Sequence, residues 1–439
     1  MTGLSEKLVR EISARKNEPE WMLKLRLSCL EIFRTLKDPT FGPDLSGLEL
    51  NKILMYVPPE SNLKTRWEDV PSNILETFEE LGIPESERAG LAGVEAQYDS
   101  EVVYHRLQEE AKKQGVIYCT IENAILEYPD LIRKYFLNLV KPEEHKFLAL
   151  HGAVFSGGSF VYVPEGVDVE IPLQAYFRFN APAAGQFEHT VIVLEKNARL
   201  HFIEGCSAPK YNQANLHAGC VEIYVGEGAK MRYSTVENWS RNMYNLNTKR
   251  ATVAKGGRME WVSGSFGSKV SMLYPSTILA GEGATADFLG VSMAASDQDL
   301  DTGAKMIHLA KNTSSKVVSK SIAKSGGNST FRTDIVISEQ AENSKAYASC
   351  DSLILDSRSS SKAVPALDVK NGSSDAGHEA TVGRISKSVL EYLMARGLSE
   401  DEATSLVVAG YVDQVSKELP FEYAVEMNNL VALEMEGGL

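Results

Sequence analysis

Of the 439 residues, five are cysteine and eight are histidine. Two of each fall in "HFIEGCSAPKYNQANLHAGC", from His201 to Cys220. Thiolate and imidazole are the side chains that hold zinc, iron and iron–sulfur clusters, so this stretch could be a metal or sulfur site. A second group, Cys350, His378 and Glu379, offers a thiolate, an imidazole and a carboxylate, the usual protein ligands for iron. The competing reading is plain packing, because a lone cysteine in a β-rich chain is ordinarily a small buried hydrophobe. Cys206 follows the strand-like "RLHFIE" at a Gly205–Cys206 corner before Pro209, where a side chain is less committed to packing. Cys220 opens "CVEIYV", where any small apolar residue would serve.

Other chemistries are missing from the text. There is no G-x-x-x-x-G-K-S/T for nucleotide, no H-E-x-x-H or C-x-x-C for zinc or redox work, and no G-x-S-x-G nucleophile elbow. "KSGGNST" at 324–330 lacks the lysine and the strand–helix setting of a phosphate loop, so it reads as a turn. The chain has 45 basic and 59 acidic side chains, a net charge of −14, and a pI near 5.2. That sign disfavours nucleic acid and anionic membrane as partners. No apolar run approaches the roughly 18 residues of a spanning helix, and "MTGLSEKLVREISARKNEPE" has no secretion-signal core. Five scattered cysteines make no disulfide framework, which points to a reduced, cytoplasmic protein.

The elements that must position these residues fall into three regions. Residues 1–148 read as mostly helical. Pro19 suits the start of a helix whose Met22, Leu25, Cys29, Ile32, Phe33 and Leu36 form one apolar face, with Cys29 as core filler. Short helices are expected around 74–81, 100–114 and 128–139. Residues 149–385 change texture to short alternating segments such as "RLHFIE", "VEIYVG" and "RMEWVS", the period of half-buried strand. Similar turns precede them, "EKNARL", "GEGAKM", "KGGRME" and "GEGATA", with a small residue at Ala198, Ala229, Gly257 and Ala284. Those positions are 31, 28 and 27 residues apart. A sandwich would explain the alternation but not this near-regular spacing, which predicts a right-handed β-helix with helical ends. Residues 386–439 return to helix, opened by a Ser399/Glu402 capping box, with Val408, Tyr411, Val412, Val415 and Leu419 on one face and a further helix starting at Pro420.

A solenoid stacks residues one coil apart at about 5 Å. Cys350 precedes His378 and Glu379 by 28 and 29 residues, one coil, so the three could face one another.

Longer runs carry a resemblance over nearly the whole chain. "ARKNEPEWMLKLRL", "LAGVEAQYDSEVVYH", "SGGSFVYVPEGV", "EGCSAP", "YSTVENWSRNMYNLNTKRA", "GAKMIHLAKNTSS", "GHEATVGRIS" and "ELPFEYAVEMNNLVALEMEG" resemble the SufB/SufD family, β-helical proteins of the SUF iron–sulfur assembly system. The amino-terminal region and "EGCSAP" favour the SufB side. The resemblance implies a non-enzymatic scaffold carrying a transient iron–sulfur cluster. Its β-helix would pair with a second copy or with SufD, and its carboxy-terminal helices would dock the ABC-type ATPase SufC. Sulfur would come as persulfide from a cysteine desulfurase or a SufE- or SufU-like carrier. Cys206 matches the sulfur-accepting cysteine, and His378 and Glu379 match positions implicated in the nascent cluster. Many members carry an interface cysteine where "DSRSSSKAVP" places Ser359, a poor iron ligand. Cys350, nine residues earlier, is then the nearest thiolate and an iron ligand candidate. Flavin, associated with related complexes, has no support in the sequence. Two alternatives are a SufD-like subunit that accepts no sulfur, which would usually lack "EGCSAP", and a carbohydrate-active β-helix enzyme, which would need a cluster of acidic groups along the repeats.

Overall fold

Small residues mark the corners at which the chain turns from one coil to the next. Asn197, Gly228, Gly256, Gly283, Asn312 and Asn343 all take left-handed backbone angles, φ from 56° to 70°. Glycine enters this region freely and asparagine tolerates it. The residue after each, Ala198, Ala229, Gly257, Ala284, Thr313 and Ser344, is buried under the neighbouring coil. Space there is limited: a Cβ on Gly257 would meet the carbonyl oxygen of Gly226 at 2.9 Å. The corners are bonded to one another, Asn197 N to Glu227 O at 2.7 Å, Gly228 N to Lys255 O at 2.9 Å and Gly256 N to Glu282 O at 2.9 Å. Four of these turns are visible as repeats in the sequence. The last two are hidden because Asn-Thr and Asn-Ser replace Gly-Ala.

A computed structural model describes residues 3–57, 93–209, 211–419 and 421–436. Between these corners run parallel, in-register strands. The first sheet stacks Asp168–Arg178, Arg199–Ser207, Lys230–Asn238, Arg258–Phe266, Thr285–Ala294, Ser314–Ala323, Lys345–Ile354 and Asp375–Gly383. Its coil length runs from 27 residues (Arg258 to Thr285) to 31 (Arg199 to Lys230). The second sheet stacks Ser159–Val163, His189–Leu194, Cys220–Val225, Thr248–Val253 and Ser276–Leu279, with a third line of short strands beside it. The strand Asp299–His308 pairs with both Val270–Leu273 and Ser276–Leu279, so the second and third lines fuse there. The last coils, ending in Asn328–Ile337 and Ser360–Val369, are two-sided. The product is a parallel β-solenoid of about eight turns with helices at both ends of the chain.

Sheet begins earlier in the chain than the helical reading of residues 1–148 allows. Gly93–Tyr98 lies parallel to Asp168–Arg178 and antiparallel to Glu101–Leu107, and Ile117–Thr120 lies antiparallel to Ser159–Val163. The helix expected over 100–114 is therefore strand as far as Leu107, with helix only at Glu109–Lys113. Asp99 explains the error: with φ of 54° it makes a tight turn, and "EVVYHRL" folds back as a hairpin arm. In the 128–139 region the helix is Pro129–Tyr135. The helix expected at 74–81 and the start at Pro420 lie outside the described residues.

Helices cover the outer faces. Glu20–Thr35 and Lys146–Val154 lie over the second sheet, sharing a core with Phe160, Val191, Val193 and Cys220. Cys29 is fully buried in that core. Arg26, also fully buried, bonds Glu18 through two nitrogens (2.6 and 2.8 Å) and the carbonyls of Ala153 and Phe155. Glu400–Ser416 and Phe421–Glu436 cover the first sheet, Val408, Val412 and Val415 packing against Val236, Val262 and Val291. The Ser399/Glu402 capping box is present. No helix among the described residues is long and apolar enough to cross a membrane.

Candidate functional site

Side chains of even number in Arg199–Ser207 point into the solenoid. Leu200, Phe202 and Cys206 join the interior core, and Glu204 shares their parity. Cys206 is thus within the strand, paired in register with Phe177 and Glu237, and 1% exposed. This corrects the corner position expected for it: the ladder runs on to Ser207. Its Sγ lies 3.8 Å from Glu204 Oε1. Burial pushes its pKa well above the ordinary thiol range, and the Glu204 and Glu237 carboxylates push it further.

Glu204 is the hub of a buried polar network. Its carboxylate accepts hydrogen bonds from Lys249 Nζ (2.6 Å), Thr235 Oγ1 (2.9 Å) and the Tyr233 hydroxyl. Lys249 crosses from the second sheet and also lies 3.7 Å from Glu237. Glu237 accepts from Asn245 (2.7 Å), Asn245 meets His217 Nδ1 (2.8 Å), and His217 Nε2 meets Glu188. Burial raises the Glu204 pKa, but Lys249 and the hydrogen bonds outweigh it and hold the group below its ordinary range. For His217, burial opposes the charge, while Glu188 and Glu237 outweigh it and raise the pKa.

From Glu204 a register column of small residues leads along the interior: Thr235, Ser263, Gly290, Ser319 and then Cys350. A cavity of about 30 Å³ follows it, lined by Thr235, Glu237, Lys249, Ser263, Gly290 and Ser319. That volume suits one or two water-sized species. Five coil steps of roughly 4.8 Å put Cys350 about 24 Å from Glu204.

At the far end Cys350 and His378 meet. Cys350 Sγ lies 3.4 Å from His378 Nε2 and 3.5 Å from Thr333 Oγ1. Cys350 is 2% exposed, and burial raises its pKa. Glu379 does not join them. As the neighbour of His378 it points to the opposite face, where its carboxylate accepts from the Tyr347 hydroxyl at 3.0 Å. Ser359 sits in a turn, donating to Asp356 Oδ2 (2.8 Å) and accepting from Gly326 N (2.9 Å).

Among the described residues nothing covers this end of the solenoid. Ser360–Val369 and Asp375–Gly383 are the outermost strands, and Val364, Leu367, Val369 and Val382 are exposed on them. On the carboxy-terminal helices a groove runs between Leu398, Leu406, Ala409, Val431 and Met435, with Leu406 more than half exposed.

Residues 177–411 match the family described as SUF system FeS cluster assembly, SufBD core domain, and residues 92–175 match the SufBD protein N-terminal region. The chain belongs to the SufB/SufD family. It is 47% identical over 437 residues to the iron–sulfur cluster assembly protein SufB of Bacillus subtilis (strain 168), covering 100% of this chain and 94% of that protein. A Staphylococcus aureus (strain MRSA252) protein of the iron–sulfur cluster assembly SufBD family is 48% identical with the same coverage. Iron–sulfur cluster assembly is therefore the setting of the sites described above.

The stretch from His201 to Cys220 serves three places rather than one. Cys206 and His217 face the interior, Cys220 faces the amino-terminal helices, and His201 bonds Ser234 Oγ at 2.9 Å. Sequence reasoning passed over Glu204, Glu237 and Lys249. A signal for them existed: Glu204 has the parity of Leu200 and Phe202, Glu237 that of Met231 and Tyr233, and Lys249 that of Ala251 and Val253. A charge at a position whose strand neighbours are core must be paired in the core.

Proposed function

We propose that this chain is the scaffold of the SUF system, accepting persulfide sulfur at Cys206 and building the nascent iron–sulfur cluster at the bare end. The observation that carries this is the Cys350–His378 contact at 3.4 Å, a thiol and an imidazole placed together across the last two coils. Both are iron ligands, and a second copy pairing through Val364, Leu367 and Val382 would bring two such sets together, while a SufD partner would face one. In sulfur transfer the Cys206 sulfur attacks the outer sulfur of the donor persulfide and forms a new S–S bond, while the donor's cysteine leaves and takes up the proton that Cys206 gives up. The column Thr235, Ser263, Gly290 and Ser319, with its small cavity, lies between Glu204, beside Cys206, and Cys350. SufC docks in the groove of the carboxy-terminal helices, and nucleotide hydrolysis belongs to it, since this chain has no phosphate loop.

Anaerobic reconstitution with iron and sulfide, followed by absorption and Mössbauer spectroscopy, tests the reading. Cys350→Ala and His378→Ala should lower iron content with the fold intact. Ser359→Ala should leave iron content unchanged and cost about 1 kcal/mol of stability through its lost turn hydrogen bonds. Full cluster loading in Cys350→Ala would refute the site. A SufD-like role that accepts no sulfur is the second reading, favoured only by the depth of Cys206. A folded parent chain left unlabelled by a persulfide-loaded desulfurase would support it, whereas a folded Cys206→Ser that is still labelled would move the acceptor to another cysteine.

A further inference from the structure

A second convergence of ligand atoms lies outside the interior, between the helix Lys146–Val154 and the second sheet. His151 comes from the helix, His189 opens the strand His189–Leu194, and Cys220 opens the next strand in register with His189. All three are buried. One ligand atom from each lies within 4.8 Å of the others, and His151 Nε2 and His189 Nδ1 are 2.9 Å apart.

The far nitrogen of each ring is already engaged. His151 Nδ1 lies 2.8 Å from the Ala218 carbonyl, which only accepts, so Nδ1 carries a hydrogen. His189 Nε2 lies 3.0 Å from Glu222 Oε2. That carboxyl group is fixed by the backbone N–H groups of Leu137 (2.5 Å), Leu139 (2.7 Å) and Val140 (2.9 Å). Phe136 stacks on the His189 ring at 4.0 Å and holds its plane. A carbonyl behind one imidazole and an anchored carboxylate behind the other are the supports that orient metal-ligating histidines.

We propose that His151, His189 and Cys220 form a buried site for a divalent ion of the zinc or iron(II) class, distinct from the Cys350–His378 pair. A neutral His151 accepts at Nε2, so the bond between the rings is made by the His189 Nδ1 hydrogen, and the ion takes that hydrogen's place. Binding forms bonds from the ion to His151 Nε2, His189 Nδ1 and Cys220 Sγ. It releases two protons, one from His189 Nδ1 and one from Cys220, with no change of oxidation state. Before binding, the 3.0 Å contact between the His189 Nε2 lone pair and Glu222 Oε2 is made by the carboxyl hydrogen. That hydrogen passes to Nε2 as the ion binds, so Nε2–H then faces a Glu222 carboxylate. Thiolate and carboxylate balance the ion's two positive charges, which suits a site this deep. Mixed nitrogen and sulfur donors select this class of ion, and three of them leave one tetrahedral position open. The inference does not depend on the SUF role proposed above.

The test uses the full chain carrying Cys350→Ala and His378→Ala, so that the other thiolate–imidazole pair contributes nothing. Expression in cobalt-supplemented medium supplies the probe ion while the chain folds, which removes access as an obstacle. One cobalt(II) per chain is expected, with the ligand-field and thiolate charge-transfer absorption of a tetrahedral sulfur-bound ion. Cys220→Ser in this background changes little but the sulfur, so the fold and the imidazole chain persist. It should lose the charge-transfer band and most of the bound cobalt, with an unchanged circular dichroism spectrum. A folded parent chain without cobalt would overturn the proposal, as would an identical cobalt spectrum in Cys220→Ser.

Discussion

Cys206 is chemically quiet where it lies. A thiolate is the reactive form, and this thiol is held protonated by burial and by two carboxylates. Sulfur acceptance at this position therefore needs the strand end near Ser207 to open, or a donor that opens it. Iodoacetamide labelling at pH 7.5, read by mass spectrometry, should leave Cys206 almost unmodified in the native chain and label it fully in denaturant. Rapid native labelling would show that the interior is open at rest. The contrast between Cys206 and Glu379 marks what single residues disclose. Matching a motif located both in the sequence, but only alternation along a strand decides which face each one takes, and His378 and Glu379 part company there. His151, His189 and Cys220 were not legible as a group, because a helix-to-sheet contact brings them together and no spacing announces it.

Strands and helices carry their own consequences. The repeat was readable where glycine or alanine stood in the corner, as at Asn197–Ala198, and unreadable at Asn312–Thr313 and Asn343–Ser344, which have neither. Across the interior, Lys249 joins the two sheets through Glu204. Lys249→Met would leave Glu204 buried and unpaired, at a cost of roughly 3–5 kcal/mol, and thermal denaturation would measure it. The same pair sets an acid limit. The folded pKa of Glu204 lies below its ordinary 4.5, so its stabilising contribution is present above that range and fades as pH falls through the folded value. Melting temperature should fall more steeply as pH drops below 4.5 in the parent chain than in Glu204→Gln. Equal slopes would mean that the network does not depend on the charge of Glu204.

At the scale of the whole molecule, the proposed cluster site and the proposed docking groove both belong to the carboxy-terminal part of the chain. The carboxy-terminal helices pack on the first sheet and keep an open groove beside Leu398, Leu406 and Ala409. Purified chain should hydrolyse no ATP, and added SufC should bind it only while the segment after about residue 395 is present. Pull-down and phosphate release check both statements, and binding by the truncated chain would move the docking site elsewhere.

The two ends of the solenoid differ in kind, and this limits what the molecule can build. Its first end is reversed: Glu101–Leu107 and Ile117–Thr120 run antiparallel to the strands they border. Its last end is a parallel edge with apolar side chains and no cover among the described residues. Head-to-tail stacking would set the last parallel coil against strands of reversed direction, so the coil is not continued from one copy to the next. Two last ends can still meet about a two-fold axis, and each then hides the other's edge. Growth by this surface halts after a single step, which spares an exposed β-edge the polymerisation it would otherwise invite.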